Sequence, residues 1–80
     1  MTTYSVILDT NTSSDLLKKF ENLELAKQFA IDELENTNPE NDSEGINIYT
    51  EEGMIMSLSK GQDITLIDPK TSMQIGTEKL

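Results

Sequence analysis

The 80-residue chain contains no cysteine, no histidine and no arginine. Each absence removes a class of chemistry. Without cysteine no disulfide can brace the fold and no thiolate can act as a nucleophile. The same lack fits a reducing cytoplasm. Without histidine the usual general base near neutral pH is missing, so a serine triad cannot be assembled. Ser57-Leu58-Ser59-Lys60 does place a serine three residues before a lysine, but an alternating hairpin would set these residues on a solvent face. Zinc and the redox metals lose their preferred nitrogen and sulfur ligands. Without arginine no side chain can grip phosphate in bidentate fashion, and Lys18-Lys19 is the one adjacent basic pair. Carboxylates are plentiful, so a carboxylate-only hydrolase is formally open. A domain this small seldom offers the substrate cleft it would need. The expectation is a protein that is not an enzyme and that uses no cofactor.

Long apolar runs are also missing. No window approaches the ~20 apolar residues of a membrane span. Met1 to Leu8 has neither the basic region nor the apolar stretch of a signal peptide. A cytoplasmic protein is expected, and the glycosylation patterns Asn11-Thr12-Ser13 and Asn41-Asp42-Ser43 then read as chance.

Negative charge is what the chain has in excess. Fifteen acids face six bases, all lysine, for a net charge of −9. Such a charge repels nucleic-acid backbones and anionic membranes and attracts basic protein surfaces. It also keeps a small domain soluble. The acids are unevenly spread. Residues 28–59, between Lys27 and Lys60, hold Asp32, Glu33, Glu35, Glu40, Asp42, Glu44, Glu51 and Glu52 and no base. These eight acids, with Tyr49 as an apolar anchor, are the candidate partner-binding residues. They would form one negative pole if the helix end, the following loop and the first hairpin turn lie on the same side. Asn36, Asn38, Glu40, Asp42 and Glu44 alternate as hard oxygen donors, yet the EF-hand order is absent. Counted from Asn36, the sixth residue is Asn41 and the twelfth is Asn47, where glycine and glutamate are required. No metal site is expected.

Periodicity predicts one α+β domain over residues 1–80. Tyr4, Val6 and Leu8 alternate with Ser5, Ile7 and Asp9, which marks a strand over 3–10. Leu16, Phe20, Leu23, Ala30 and Leu34 fall on one helical stripe between Ser14 and Glu35. Asn22 can cap a fresh helix, so the main helix is placed at 22–36, with 15–20 as a turn or extended link. Residues 36–45 read as a loop. Strands follow through Ile46–Thr50, Met54–Leu58 and Ile64–Ile67, and a short fifth through Met73 and Ile75. Glu51-Glu52-Gly53 and Asp68-Pro69-Lys70-Thr71 are the turn signals. Residues 77–80 read as a frayed tail. The order is β-α-β-β-β(-β): one main helix on a mainly antiparallel sheet of four to five strands.

A tiny, acidic, cysteine-free α+β chain with this base-free window resembles the phage- and mobile-element-encoded inhibitors of bacterial defence, notably anti-CRISPR proteins and DNA-mimic anti-restriction proteins. The resemblance is in character over the whole chain and in no motif. It implies a stoichiometric inhibitor that occupies the basic nucleic-acid channel of a CRISPR or other host effector, in the bacterial cytoplasm, without itself binding nucleic acid or membrane. The alternative reading is a small assembly module that forms a homodimer through a strand edge. The first strand carries apolar residues on both faces (Val6, Ile7, Leu8), and four methionines adapt well to interfaces.

Overall fold

The computed structural model describes residues 2–9, 13–36, 45–59 and 61–79. In chain order they form β1 (Tyr4–Asp9), β2 (Ser14–Phe20), α1 (Leu23–Glu35), β3 (Gly45–Thr50), β4 (Gly53–Leu58), β5 (Ile64–Asp68) and β6 (Met73–Glu78). The six strands make one sheet in the order β2-β1-β3-β4-β5-β6, every pair antiparallel. The class is α+β, one helix on one antiparallel sheet.

Three details correct the sequence reading. Residues 14–20 are a strand that pairs with β1, so the order is β-β-α-β-β-β-β and the sheet has six strands. The first strand is therefore interior, paired with both β2 and β3, and among the described residues the open edges are β2 and β6. Thr77 and Glu78 belong to β6, opposite Thr65 and Ile64, so the frayed tail begins no earlier than Lys79.

Strand alternation divides the sheet into two faces. One face carries Val6, Ile48 and Met56 in a paired row, with Ile46 and Leu58 in the next. These five side chains, with Ile64, are buried against Ala26, Ala30 and Leu34 of the helix. The helix buries positions spaced four apart, which lie one above the other on its surface. Two of the three are alanines, small enough to let the helix lie close over the sheet. Asn22 starts the helix: its side-chain oxygen accepts from the N–H of Glu24 at 2.8 Å and of Leu25 at 3.4 Å. Two donors that a helix start leaves unpaired are thereby satisfied. At the far end Asn36 closes the helix by donating its N–H to the Glu33 carbonyl at 3.1 Å.

The register also sorts the turns between the two ends of the sheet. Phe20 pairs with Tyr4, and Tyr49 pairs with Ser5, so the helix start and the β3–β4 turn share one end. Gly53 ends that turn at φ +136, and a Cβ there would lie 3.3 Å from the Pro69 carbonyl oxygen. The β5–β6 turn is therefore packed beside the β3–β4 turn. Asp9, Ser14 and Gly45 are paired at the opposite end.

Candidate functional site

The five described acids of the proposed pole do not converge. Glu51 and Glu52 are exposed in the β3–β4 turn, at the end where the helix starts. Glu51 is anchored there: its Oε1 accepts from the Thr3 N–H at 2.8 Å. Hydrogen bonds from its own backbone N–H and that of Thr3 hold the Glu51 carboxyl below its ordinary range. Asp32, Glu33 and Glu35 are in the last turns of the helix. By Lys27 the helix has already reached Glu78, which pairs with Ile64 toward the other end of the sheet. Its last turn lies farther on, with Glu35 about 18 Å along the axis from Leu23 at 1.5 Å per residue. Glu40, Asp42 and Glu44 lie outside the described residues.

Tyr49 does not join the acids either. It alternates with the buried Ile48, so its ring is on the sheet face away from the helix. Burial and the nearby Asp9 carboxylate raise its hydroxyl pKa. Asp9 itself accepts from Ser14 Oγ and from Asn47 Nδ2, which ties the ends of β1, β2 and β3 together on that face.

A different grouping of acids is built by the helix. At 3.6 residues per turn, Glu24, Gln28, Asp32 and Glu35 fall within roughly 80° of its circumference, opposite Ala26, Ala30 and Leu34. All four are exposed. Gln28 Nε2 donates to Asp32 Oδ1 at 3.3 Å, which holds the two side chains along the stripe. No base occupies the stripe. The one lysine of the helix, Lys27, stands on its flank and pairs with Glu78. That hydrogen bond is the main cause of its raised pKa. Glu33 points away from the stripe and is half-buried. Leu25 borders the stripe on the side of Phe29 and is 59% exposed.

Two of the sequence candidates, Asp32 and Glu35, are thus kept together, and Glu24 joins them. Glu24 lies outside the base-free window, since it precedes Lys27. The four- and three-residue spacing of positions 24, 28, 32 and 35 was the signal that would have found it. The stripe is costly for the helix itself. The first turn gains from Glu24, but the last turn has acids and no base. Anions near a helix C-terminus oppose the macrodipole by about 0.3–1 kcal/mol each.

Among the described residues, no three His, Cys, Asp or Glu side chains gather as metal ligands would. Among them, too, no helix is long and apolar enough to cross a membrane. Comparison with protein-family models, with curated proteins and with solved structures finds no match to this chain.

Proposed function

We propose that this chain is a non-enzymatic protein-binding inhibitor that presents the outer face of its helix to a basic, nucleic-acid-binding groove. The target class is a host defence effector of the CRISPR kind, and the site of action is the bacterial cytoplasm. One observation carries the reading: Glu24, Asp32 and Glu35 share a base-free, exposed helical stripe beside the exposed Leu25. Two of these acids sit where the helix dipole disfavours them, so helix stability does not account for them.

Recognition would rest on several weak contacts. An exposed ion pair is worth about 0–1 kcal/mol, so three carboxylates alone give weak binding. Leu25 supplies the apolar contact that a carboxylate stripe lacks. The net charge of −9 adds long-range attraction to a basic groove and speeds encounter.

The test is inhibition of purified RNA-guided nucleases, measured as DNA cleavage across a salt series. Three chains are compared: wild type, the triple reversal Glu24→Lys/Asp32→Lys/Glu35→Lys, and the control Glu51→Lys/Glu52→Lys. Inhibition that weakens with salt, disappears in the triple reversal and persists in the control supports the reading. Inhibition that ignores salt, or that survives the triple reversal, defeats it.

A further inference from the structure

Among the described residues strand β2 is unpaired on one side, and its charges are ordered along it. Asp15 stands near the start, Lys18 and Lys19 near the end. Asp15 is paired with Leu8 and Lys18 with Val6, and the register shifts between these pairs by one extra residue. Val6 and Leu8 share the helix-side face of β1, so Asp15 and Lys18 share that face too. In an unbroken strand, residues three apart point to opposite faces. The bulge at Leu17 is what brings this acid and this base onto one side.

That arrangement is self-complementary. An antiparallel second copy of β2, related by a two-fold axis between Leu16 and Leu17, would set Asp15 of each copy opposite Lys18 of the other. A two-fold interface repeats the pair. The apolar surface agrees. Leu16, beside the axis and paired with Ile7 on the sheet face away from the helix, is 53% exposed. The Lys18 ammonium lies over the rings of Phe20 and Phe29, 5.2 and 6.0 Å from their centroids, and meets no carboxylate among the described residues. The other open edge exposes Met73 and Ile75 but lacks such charge complementarity. Its acid, Glu78, is taken by Lys27, and two-fold pairing of β6 would set Glu78 against Met73.

We propose that two copies of the chain join through β2, antiparallel, with paired Asp15–Lys18 contacts on the helix-side face and Leu16 of each copy near the axis on the other face. A second copy is the occupant because β2 carries two of the chain's six lysines opposite its own acid. Elsewhere two chains of −9 repel each other.

Sedimentation equilibrium over a concentration series tests this. Wild type should shift from the 9.0 kDa chain toward twice that mass as concentration rises. Asp15→Lys and Lys18→Asp should each weaken the dimer roughly tenfold or more, because like charges then face each other twice. The double swap Asp15→Lys/Lys18→Asp should restore it. Asp15→Lys lowers the net negative charge, so simple repulsion makes the opposite forecast, a stronger dimer. Cysteine cross-linking gives an independent reading, since the chain has no cysteine of its own. Leu16→Cys should form a covalent dimer on mild oxidation, and Met73→Cys on the other edge should not. A wild type that stays monomeric throughout, a double swap that fails to restore association, or cross-linking at Met73 instead of Leu16 would each overturn the proposal.

Discussion

Replacing Leu34 by alanine tests how the helix is held to the sheet. Leu34 is 1% exposed and is the one large side chain that the helix buries fully; Ala26 and Ala30 contribute only methyl groups. Removing a buried leucine to alanine costs about 2–5 kcal/mol, from lost transfer energy and from the cavity left behind. The site lies between a helix and a sheet whose other residues, Ile46, Ile48 and Leu58, are themselves fully buried, so the gap cannot collapse freely. A chain of this length has a total stability of roughly 4–12 kcal/mol at the usual 0.05–0.15 per residue. Each kcal/mol moves the melting temperature of a small domain by about 4–8 °C. Leu34→Ala should therefore melt at least ~8 °C lower, and it should lower the urea midpoint without changing the slope. Far-UV circular dichroism reads both. Met73→Ala is the comparison, because Met73 is 66% exposed; it should stay within about 0.5 kcal/mol of wild type. A Leu34→Ala variant within 1 kcal/mol of wild type, on the same ~0.05–0.15 per-residue scale, would refute the placement of the helix.

Three further outcomes follow from local features. Asn22→Ala should destabilise the chain by about 0.5–2 kcal/mol through loss of the cap, and Asn22→Asp should restore most of it; chemical denaturation measures both. Gly53→Ala should cost about 1–3 kcal/mol, because φ +136 is strained for any side chain and the new methyl would press on Pro69. The Glu51 carboxyl is held below its ordinary range by backbone hydrogen bonds. A carboxylate lowered on folding adds stability above its unfolded pKa, and that increment is lost as pH falls through the folded pKa. Glu51→Gln should thus flatten the acid limb of the stability profile, seen as a smaller loss between neutral pH and about pH 3.

The parts of this fold with regular periodicity were legible in the sequence. β1, β3 and β5 alternate, β4 kept enough apolar signal to be read as a strand despite a bulge at Ile55, and Asn22 announced the helix start with its cap chemistry. β2 was hidden by its own irregularity. Its bulge inserts Leu17 between the pairs Val6–Lys18 and Ile7–Leu16, so period two breaks in mid-strand, and Leu16, Phe20 and Leu23 mimic a helical stripe. The end of β6 was hidden because Thr77 and Glu78 carry little apolar signal; cross-strand pairing to β5 decides it. The candidate surface was only half legible. Charge counted along the chain grouped Glu51 and Glu52 with the helix acids, and topology sends them to the other end of the sheet. Counted around the helix instead, the same sequence groups Glu24 with Asp32 and Glu35. Tyr49 could not be sided until the register of β3 was known.

The most direct measurement is displacement of DNA from a panel of purified RNA-guided nucleases by the wild-type chain and by its Glu24→Lys/Asp32→Lys/Glu35→Lys variant. Fluorescence anisotropy of a labelled duplex reports it. The wild type is expected to release DNA from at least one member at near-stoichiometric amounts, more readily at low salt, while the folded variant leaves it bound. Release of DNA by both chains alike, or by neither across the panel, would contradict an acidic helix face that competes for a basic groove.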